Sequence, residues 1–153
     1  MLKLFVQWHS PNESYRFAEY LYCLKRNLDN DLISRLYLML PVGEYFDLSG
    51  FESIVEKMHK IVVCRVQVDR VSYLDWIKLA LSLADVNNGD IIALINTDCF
   101  IKDFTIQDLV DNLDIGTLLC VSRHEYFKNN SLHEAPYLSQ DAWIIRYDEI
   151  QLN

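Results

Sequence analysis

The sequence has 153 residues, of which 51% are hydrophobic and 24% charged, a balance typical of one globular domain. Its formal net charge of -8 argues against a nucleic-acid partner, because proteins that bind nucleic acids neutralise phosphates with an excess of Lys and Arg. No apolar stretch approaches the ~18 residues of a transmembrane helix, so we expect a cytoplasmic protein.

The apolar pattern predicts strands that alternate with helices. In chain order the predicted elements are a strand over 3–8, a helix over 14–28, a strand over 33–40, a helix over 51–59, a strand over 60–68, a helix over 73–84, a strand over 90–96, a helix over 104–113, a strand over 117–122 and a last strand after Asp141. Ser72 is expected to begin the third helix, and Asn87-Asn88-Gly89 to close it. This order predicts an α/β fold with a mainly parallel, mixed sheet, helices on both faces and a central strand at 90–95, with the first strand beside or near it.

The positions of the cysteines and glycines argue against zinc sites and against glycine-rich phosphate-binding motifs. The four cysteines lie far apart among apolar neighbours, without a CxxC pair or zinc spacing, so we expect buried free thiols. With only four glycines, the sequence contains neither G-x-G-x-x-G nor G-x-x-x-x-G-K-[ST]. A dinucleotide-binding dehydrogenase and a P-loop enzyme are therefore nearly excluded.

Two polar segments interrupt the apolar runs where the sheet should meet its ligands. Asn96-Thr97-Asp98 directly follows the fourth strand, where Asp98 could bind Mg²⁺ or Mn²⁺ and Asn96 a ribose or a metal-bound water. Asp141 lies in Ser-Gln-Asp-Ala-Trp, ahead of the last strand, where a carboxylate could deprotonate an acceptor hydroxyl. The structural alternative is a strand-capping turn at the first segment and an N-cap or turn residue at the second.

Together these segments resemble the nucleotide-diphospho-sugar transferase superfamily, the GT-A glycosyltransferases of small bacterial and viral type. Asn96-Thr97-Asp98 stands in the place of their Asp-x-Asp motif, and Arg70-Val-Ser-Tyr-Leu-Asp-Trp is similar to the segment before it. The resemblance covers the whole chain in element order and implies one Rossmann-like, nucleotide-sugar-binding domain over residues 1–153. Many relatives continue into an acceptor-binding region, so a chain without its acceptor half is an alternative.

The resemblance also implies roles for individual residues. Asp98 would hold Mn²⁺ or Mg²⁺ on the diphosphate, and Asp141 would be the general base of an inverting transfer. The residues expected to contact the nucleotide sugar are Gln7, Trp8, His9, Ser10, Asn12, Arg70, Asn96 and Thr97. Trp8 could stack on the base, although core packing is the default for a tryptophan at this position.

The function implied is hexosyl transfer from a nucleoside-diphosphate sugar, with a UDP-sugar favoured, to a sugar or glycan acceptor. Asn96 replaces the first Asp of the motif, which removes one charge that would face a metal ion. This substitution favours an alternative, a catalytically impaired nucleotide-sugar-binding module or a subunit of a larger assembly.

Overall fold

The computed structural model describes residues 1–11, 13–46, 52–102, 108, 111–115, 117–121, 124–125, 131–132 and 141–147. Within them, six strands form one sheet in the order β3-β2-β1-β4-β8-β5, and two short strands, β6 and β7, pair with each other. The strands are β1 (Leu2–Gln7), β2 (Ile33–Leu40), β3 (Ile61–Arg65), β4 (Ile91–Ile95), β5 (Leu118–Val121), β6 (His124–Glu125), β7 (Ser131–Leu132) and β8 (Ala142–Arg146).

The sheet is mostly parallel, as the sequence predicts. Strands β3, β2, β1 and β4 run parallel to one another, whereas β8 is antiparallel to both β4 and β5. The 90–95 strand is central and lies beside the first strand, so both parts of that prediction are confirmed. Because β8 runs against β4, its first residues lie at the carboxyl end of β4.

The described helices are α1 (Ser14–Asp29), α2 (Glu52–Val55), a 3-10 turn (Met58–Lys60) and α3 (Tyr73–Ser82). Ser72 caps α3 as predicted: its hydroxyl accepts the backbone N–H of Asp75, and the Asp75 carboxylate accepts the backbone N–H of Ser72. Of the predicted 104–113 helix, residues 108, 111 and 112 have helical backbone, and most of the others lie outside the described residues. None of the described helices is long and apolar enough to cross a bilayer.

Several boundaries differ from the predicted ones for local reasons. Strand β3 ends at Arg65 rather than 68 because its partner β2 ends at Leu40; beyond the regular ladder, the Val42 N–H still donates to the Val68 carbonyl at 3.1 Å. Helix α3 ends at Ser82, so Gly89 does not close it. Gly89 instead takes a φ of 86° in the turn that leads into β4.

Side chains alternate between two apolar layers, one on each face of the sheet. Leu4 and Val6 of β1 pack in the layer that contains α1, whereas Phe5 packs in the layer that contains Trp76 of α3. The prediction of helices on both faces is therefore confirmed. Of the four cysteines, Cys23 and Cys64 are buried and Cys99 is half-buried, whereas Cys120, on the edge strand β5, is exposed.

Candidate functional site

The carboxyl ends of β1 and β4 and the start of β8 lie together at one edge of the sheet. Strands β1 and β4 are parallel neighbours with Val6 opposite Ile95, and Ile95 also lies opposite Ala142 of β8. The polar residues that follow or precede these positions therefore meet at this edge, which we call the carboxyl edge. Ligands of open α/β sheets bind beyond such an edge.

Thr97 joins the loop after β4 to the end of β1. Its side chain is only 5% exposed, and its hydroxyl donates a hydrogen bond to the carbonyl of Gln7. The backbone N–H of Cys99 donates to the carbonyl of Asn96 at 3.1 Å, which closes a tight turn around Thr97 and Asp98. The strand-capping turn that was the structural alternative is thus present, and it fixes the position of the triplet.

Asn96 and Asp141 are paired through both backbone and side chain. The backbone N–H of Asn96 donates to the Asp141 carbonyl at 3.2 Å, and its amide Nδ2 donates to Asp141 Oδ1 at 3.2 Å. Asp141 is only 6% exposed, and its own N–H donates to the carbonyl of Val121 at 3.0 Å. The Asp141 carboxylate is therefore held in one orientation beside the exposed Asn96 side chain.

Asp98 faces helix α1 and pairs with Arg16, a residue that the sequence did not single out. The Arg16 Nη2 atom lies 3.5 Å from Asp98 Oδ2, and Nη1 lies 2.6 Å from Glu19 Oε2. The guanidinium carbon also lies 5.5 Å from the ring centroid of Tyr20. Arg16, Glu19 and Tyr20 occupy positions i, i+3 and i+4 of one helix face, the only sequence signal that could have grouped them.

The same corner contains a thiol that is not a nucleophile at neutral pH. Burial raises the pKa of Cys23 to about 12, and the negative charges of Asp98 and Glu19 act in the same direction. Cys23 therefore stays protonated and contributes to the buried face of α1.

The residues after β1 take different positions. Trp8 is 1% exposed and packs edge-on against the rings of Phe17, Tyr20 and Phe46, so its ring serves the core in this structure. His9 is exposed, with Nε2 at 2.9 Å from the Tyr20 hydroxyl, and the Ser10 N–H donates to Glu44 Oε2 at 2.6 Å. Asn12 lies outside the described residues. Contact of these residues with a nucleotide stays a prediction.

Arg70 lies between β3 and α3, also at the carboxyl edge, and its side chain is exposed. Burial raises the pKa of the nearby Tyr73 hydroxyl, and the positive charge of Arg70 opposes that shift. The Tyr73 ring lies 4.2 Å from the ring of Trp143, centroid to centroid. No described contact joins Arg70 to Asn96, Asp98 or Asp141.

The described residues do not form a metal centre by themselves. Among them, no group of three His, Cys, Asp or Glu side chains is placed to hold an ion. Asp98, the predicted metal ligand, has a guanidinium beside one of its carboxylate oxygens. A divalent cation at that oxygen would lie close to the positive charge of Arg16, so the residues present fit a metal ion poorly.

The fold is shared with solved structures, although no family model matches the sequence and no curated protein does. The chain is similar to 2-C-methyl-D-erythritol 4-phosphate cytidylyltransferase (IspD) of Francisella tularensis, with a TM-score of 0.60 and 13% identity over 99% of this chain and 75% of that one. It is also similar to a 4-diphosphocytidyl-2C-methyl-D-erythritol synthase, with a TM-score of 0.52 and 8% identity over 95% and 74% of the two chains. The chain therefore shares the α/β fold of these two proteins.

Proposed function

We propose that the chain binds a nucleoside-diphosphate sugar at the carboxyl edge and transfers the sugar to a sugar or glycan acceptor. The observation that carries the proposal is the convergence of Gln7, Asn96, Thr97 and Asp141 through the Thr97–Gln7 and Asn96–Asp141 hydrogen bonds. These residues come from three separate segments of the chain. Such convergence of polar groups at a strand-end crevice is typical of a ligand site.

Asp141 is the proposed general base. Its carboxylate would accept the proton of the acceptor hydroxyl while that oxygen forms a bond to the anomeric carbon of the sugar. The bond from the same carbon to the diphosphate breaks, and the electron pair leaves with the nucleoside diphosphate. The amide of Asn96 supports this role, because it orients the carboxylate without adding a second negative charge.

A nucleotidyltransferase is the second candidate, favoured by the two cytidylyltransferases whose fold the chain shares. Such an enzyme would attach a nucleotide to a sugar phosphate and release pyrophosphate from a nucleoside triphosphate. The segment between β1 and α1 weighs against it, because residues 8–13 include no glycine. Glycine-rich loops let the backbone approach phosphates closely, and a triphosphate needs many such contacts.

The products released distinguish the candidates. We would incubate the chain with UDP-sugars, other nucleoside-diphosphate sugars and, separately, nucleoside triphosphates with sugar phosphates, with and without Mn²⁺. Release of nucleoside diphosphate supports glycosyl transfer, and release of pyrophosphate supports nucleotidyl transfer. Binding by calorimetry without either product would favour the third alternative, a nucleotide-sugar-binding module without turnover.

Asp141→Asn is the matched control for the release assay. This variant is expected to bind the same donor while releasing little nucleoside diphosphate, because it keeps the shape of the side chain but not its basicity. Equal release from the native chain and the variant would point to a contaminating enzyme or to a different base.

A further inference from the structure

Arg16 is a cation that several neighbours hold at the carboxyl edge. It lies in the first turn of α1, and its guanidinium contacts Asp98 at 3.5 Å, Glu19 at 2.6 Å and the face of Tyr20. The side chain is 37% exposed, so it is held on several sides and still partly open to solvent. Its carboxylate partners fix the direction in which the fork of N–H donors points.

The site needs positive charge from some source. A leaving nucleoside diphosphate develops negative charge, and a cation or a set of donors must stabilise it. The described residues fit a metal ion poorly, as Asp98 is paired and no three-ligand group is present among them. A guanidinium can stabilise the negative charge of the diphosphate instead of a metal ion, because its planar fork of N–H donors matches phosphate oxygens in a bidentate arrangement.

We infer that Arg16 is the diphosphate-binding cation of this site, and that Asp98 holds Arg16 in place until the diphosphate replaces it as partner. The inference rests on the proposed function. As the bond between the anomeric carbon and the diphosphate oxygen breaks, the electron pair moves onto that oxygen and Arg16 neutralises part of its charge. Asp98 is then a positioning residue for Arg16, not a metal ligand.

The two roles of Asp98 predict opposite results for Asp98→Asn. If Asp98 were a metal ligand, the variant would lose metal-dependent nucleotide binding. If Asp98 positions Arg16, the variant removes a competing carboxylate beside the phosphates and keeps an oxygen that can accept from the guanidinium. We therefore expect Asp98→Asn to bind UDP without metal at least as tightly as the native chain.

The experiment is calorimetric titration of the full chain with UDP, and with GDP, CDP, ADP and dTDP, in EDTA and in Mn²⁺. The native chain is expected to bind one of these in EDTA as well as in Mn²⁺. Arg16→Gln should weaken that binding by roughly 10–100-fold, and Arg16→Lys by less, because it keeps the charge but not the fork. Arg26→Gln is the matched control, since Arg26 lies roughly 15 Å further along the same helix, over the ring of Phe100.

The outcomes separate this inference from the proposed function. Binding that requires Mn²⁺, or that is lost in Asp98→Asn, overturns the role of Arg16 and leaves the proposed function standing. Binding that is unchanged in Arg16→Gln overturns it in the same way. If none of the nucleoside diphosphates binds the native chain in either buffer, the proposed function fails and the inference fails with it. Should Arg16→Gln not fold, Asp98→Asn carries the test.

Discussion

Asn96→Asp restores the Asp-x-Asp pattern of the glycosyltransferases that the sequence resembles, yet we expect it to harm this protein. In the native chain the Asn96 amide donates to Asp141 Oδ1 at 3.2 Å. An aspartate side chain at position 96 has no N–H to donate, and it places a second carboxylate about 3.2 Å from Asp141 Oδ1. The substitution therefore exchanges an attractive contact for the repulsion of two like charges.

Coulomb's law sets the size of this effect. Two unit charges 3.2 Å apart repel by about 1.3 kcal/mol in water and by about 5 kcal/mol at an effective dielectric constant of about 20. Position 96 is exposed while Asp141 is buried, so the effective value lies between these limits. We expect the free energy of unfolding at pH 8 to fall by about 2 kcal/mol.

The pH dependence of this loss of stability shows whether like-charge repulsion causes it. Repulsion raises the pKa of the carboxyl pair in the folded state above the unfolded value of about 4, so the folded state binds more protons than the unfolded state. The loss of stability is then greatest above the folded pKa and shrinks as the pH falls toward 5. Urea unfolding of the native chain and the variant at pH 8 and pH 5 measures it, with Asn96→Ala as the control that removes the hydrogen bond without adding a charge.

A loss of stability that is equal at pH 8 and pH 5 would refute the like-charge argument, and so would a variant more stable than the native chain at pH 8. The release assay provides a second measurement. If Asn96→Asp released nucleoside diphosphate faster than the native chain, Asn96 would be a weakened metal ligand rather than the partner of Asp141.

Three further predictions concern single contacts. Asp141→Asn should lower turnover by roughly 10²–10⁴-fold with nearly unchanged nucleotide binding by calorimetry; full turnover would exclude Asp141 as the base. Thr97→Val should lower the free energy of unfolding in urea by about 1–3 kcal/mol, because the Gln7 carbonyl loses its buried donor, whereas no change would mean that water replaces it. Burial opposes the ionisation of Asp90, but hydrogen bonds from Asn87 and Lys3 outweigh burial and lower the pKa of this carboxyl. The stability that Asp90 contributes to the fold is therefore present above pH ~4 and is lost as the pH falls through the folded pKa. Asp90→Asn should therefore cost about 3 kcal/mol in urea unfolding at pH 7, because it leaves the buried ammonium of Lys3 without this partner at 3.2 Å. The cost should shrink as the pH falls below ~4, and a cost that stays constant would contradict the ion-pair argument.

The sequence predicted the fold well because strand order follows from local patterns. Apolar runs and helical spacing located each of the six sheet strands and the two longest helices. The errors arose where a distant partner decides the outcome. Strand β3 stops where its neighbour β2 ends, and Cys120 of the edge strand β5 is exposed although its sequence neighbours are apolar.

The position of the candidate site was also accessible from the sequence, but its pairings were not. The rule that ligands bind at carboxyl ends of parallel strands located the segments around Gln7, Asn96 and Asp141. The Arg16–Asp98 ion pair depends on how α1 packs against the sheet, which no local pattern encodes. The burial of Trp8 depends likewise on Phe46, a residue 38 positions away in the chain that contacts it only after folding.

The triplet Asn96-Thr97-Asp98 links β4 to three other elements at the carboxyl edge. Asn96 pairs with Asp141 at the start of β8, Thr97 donates to Gln7 at the end of β1, and Asp98 pairs with Arg16 of α1. Each residue thus connects the central strand to a different element at the carboxyl edge. The turn that caps the strand and the candidate ligand site are consequently the same structure, so stability and nucleotide binding must be measured side by side for every substitution in it. A change at Thr97 should act on both, whereas Asp98→Asn should act chiefly on nucleotide binding, through Arg16.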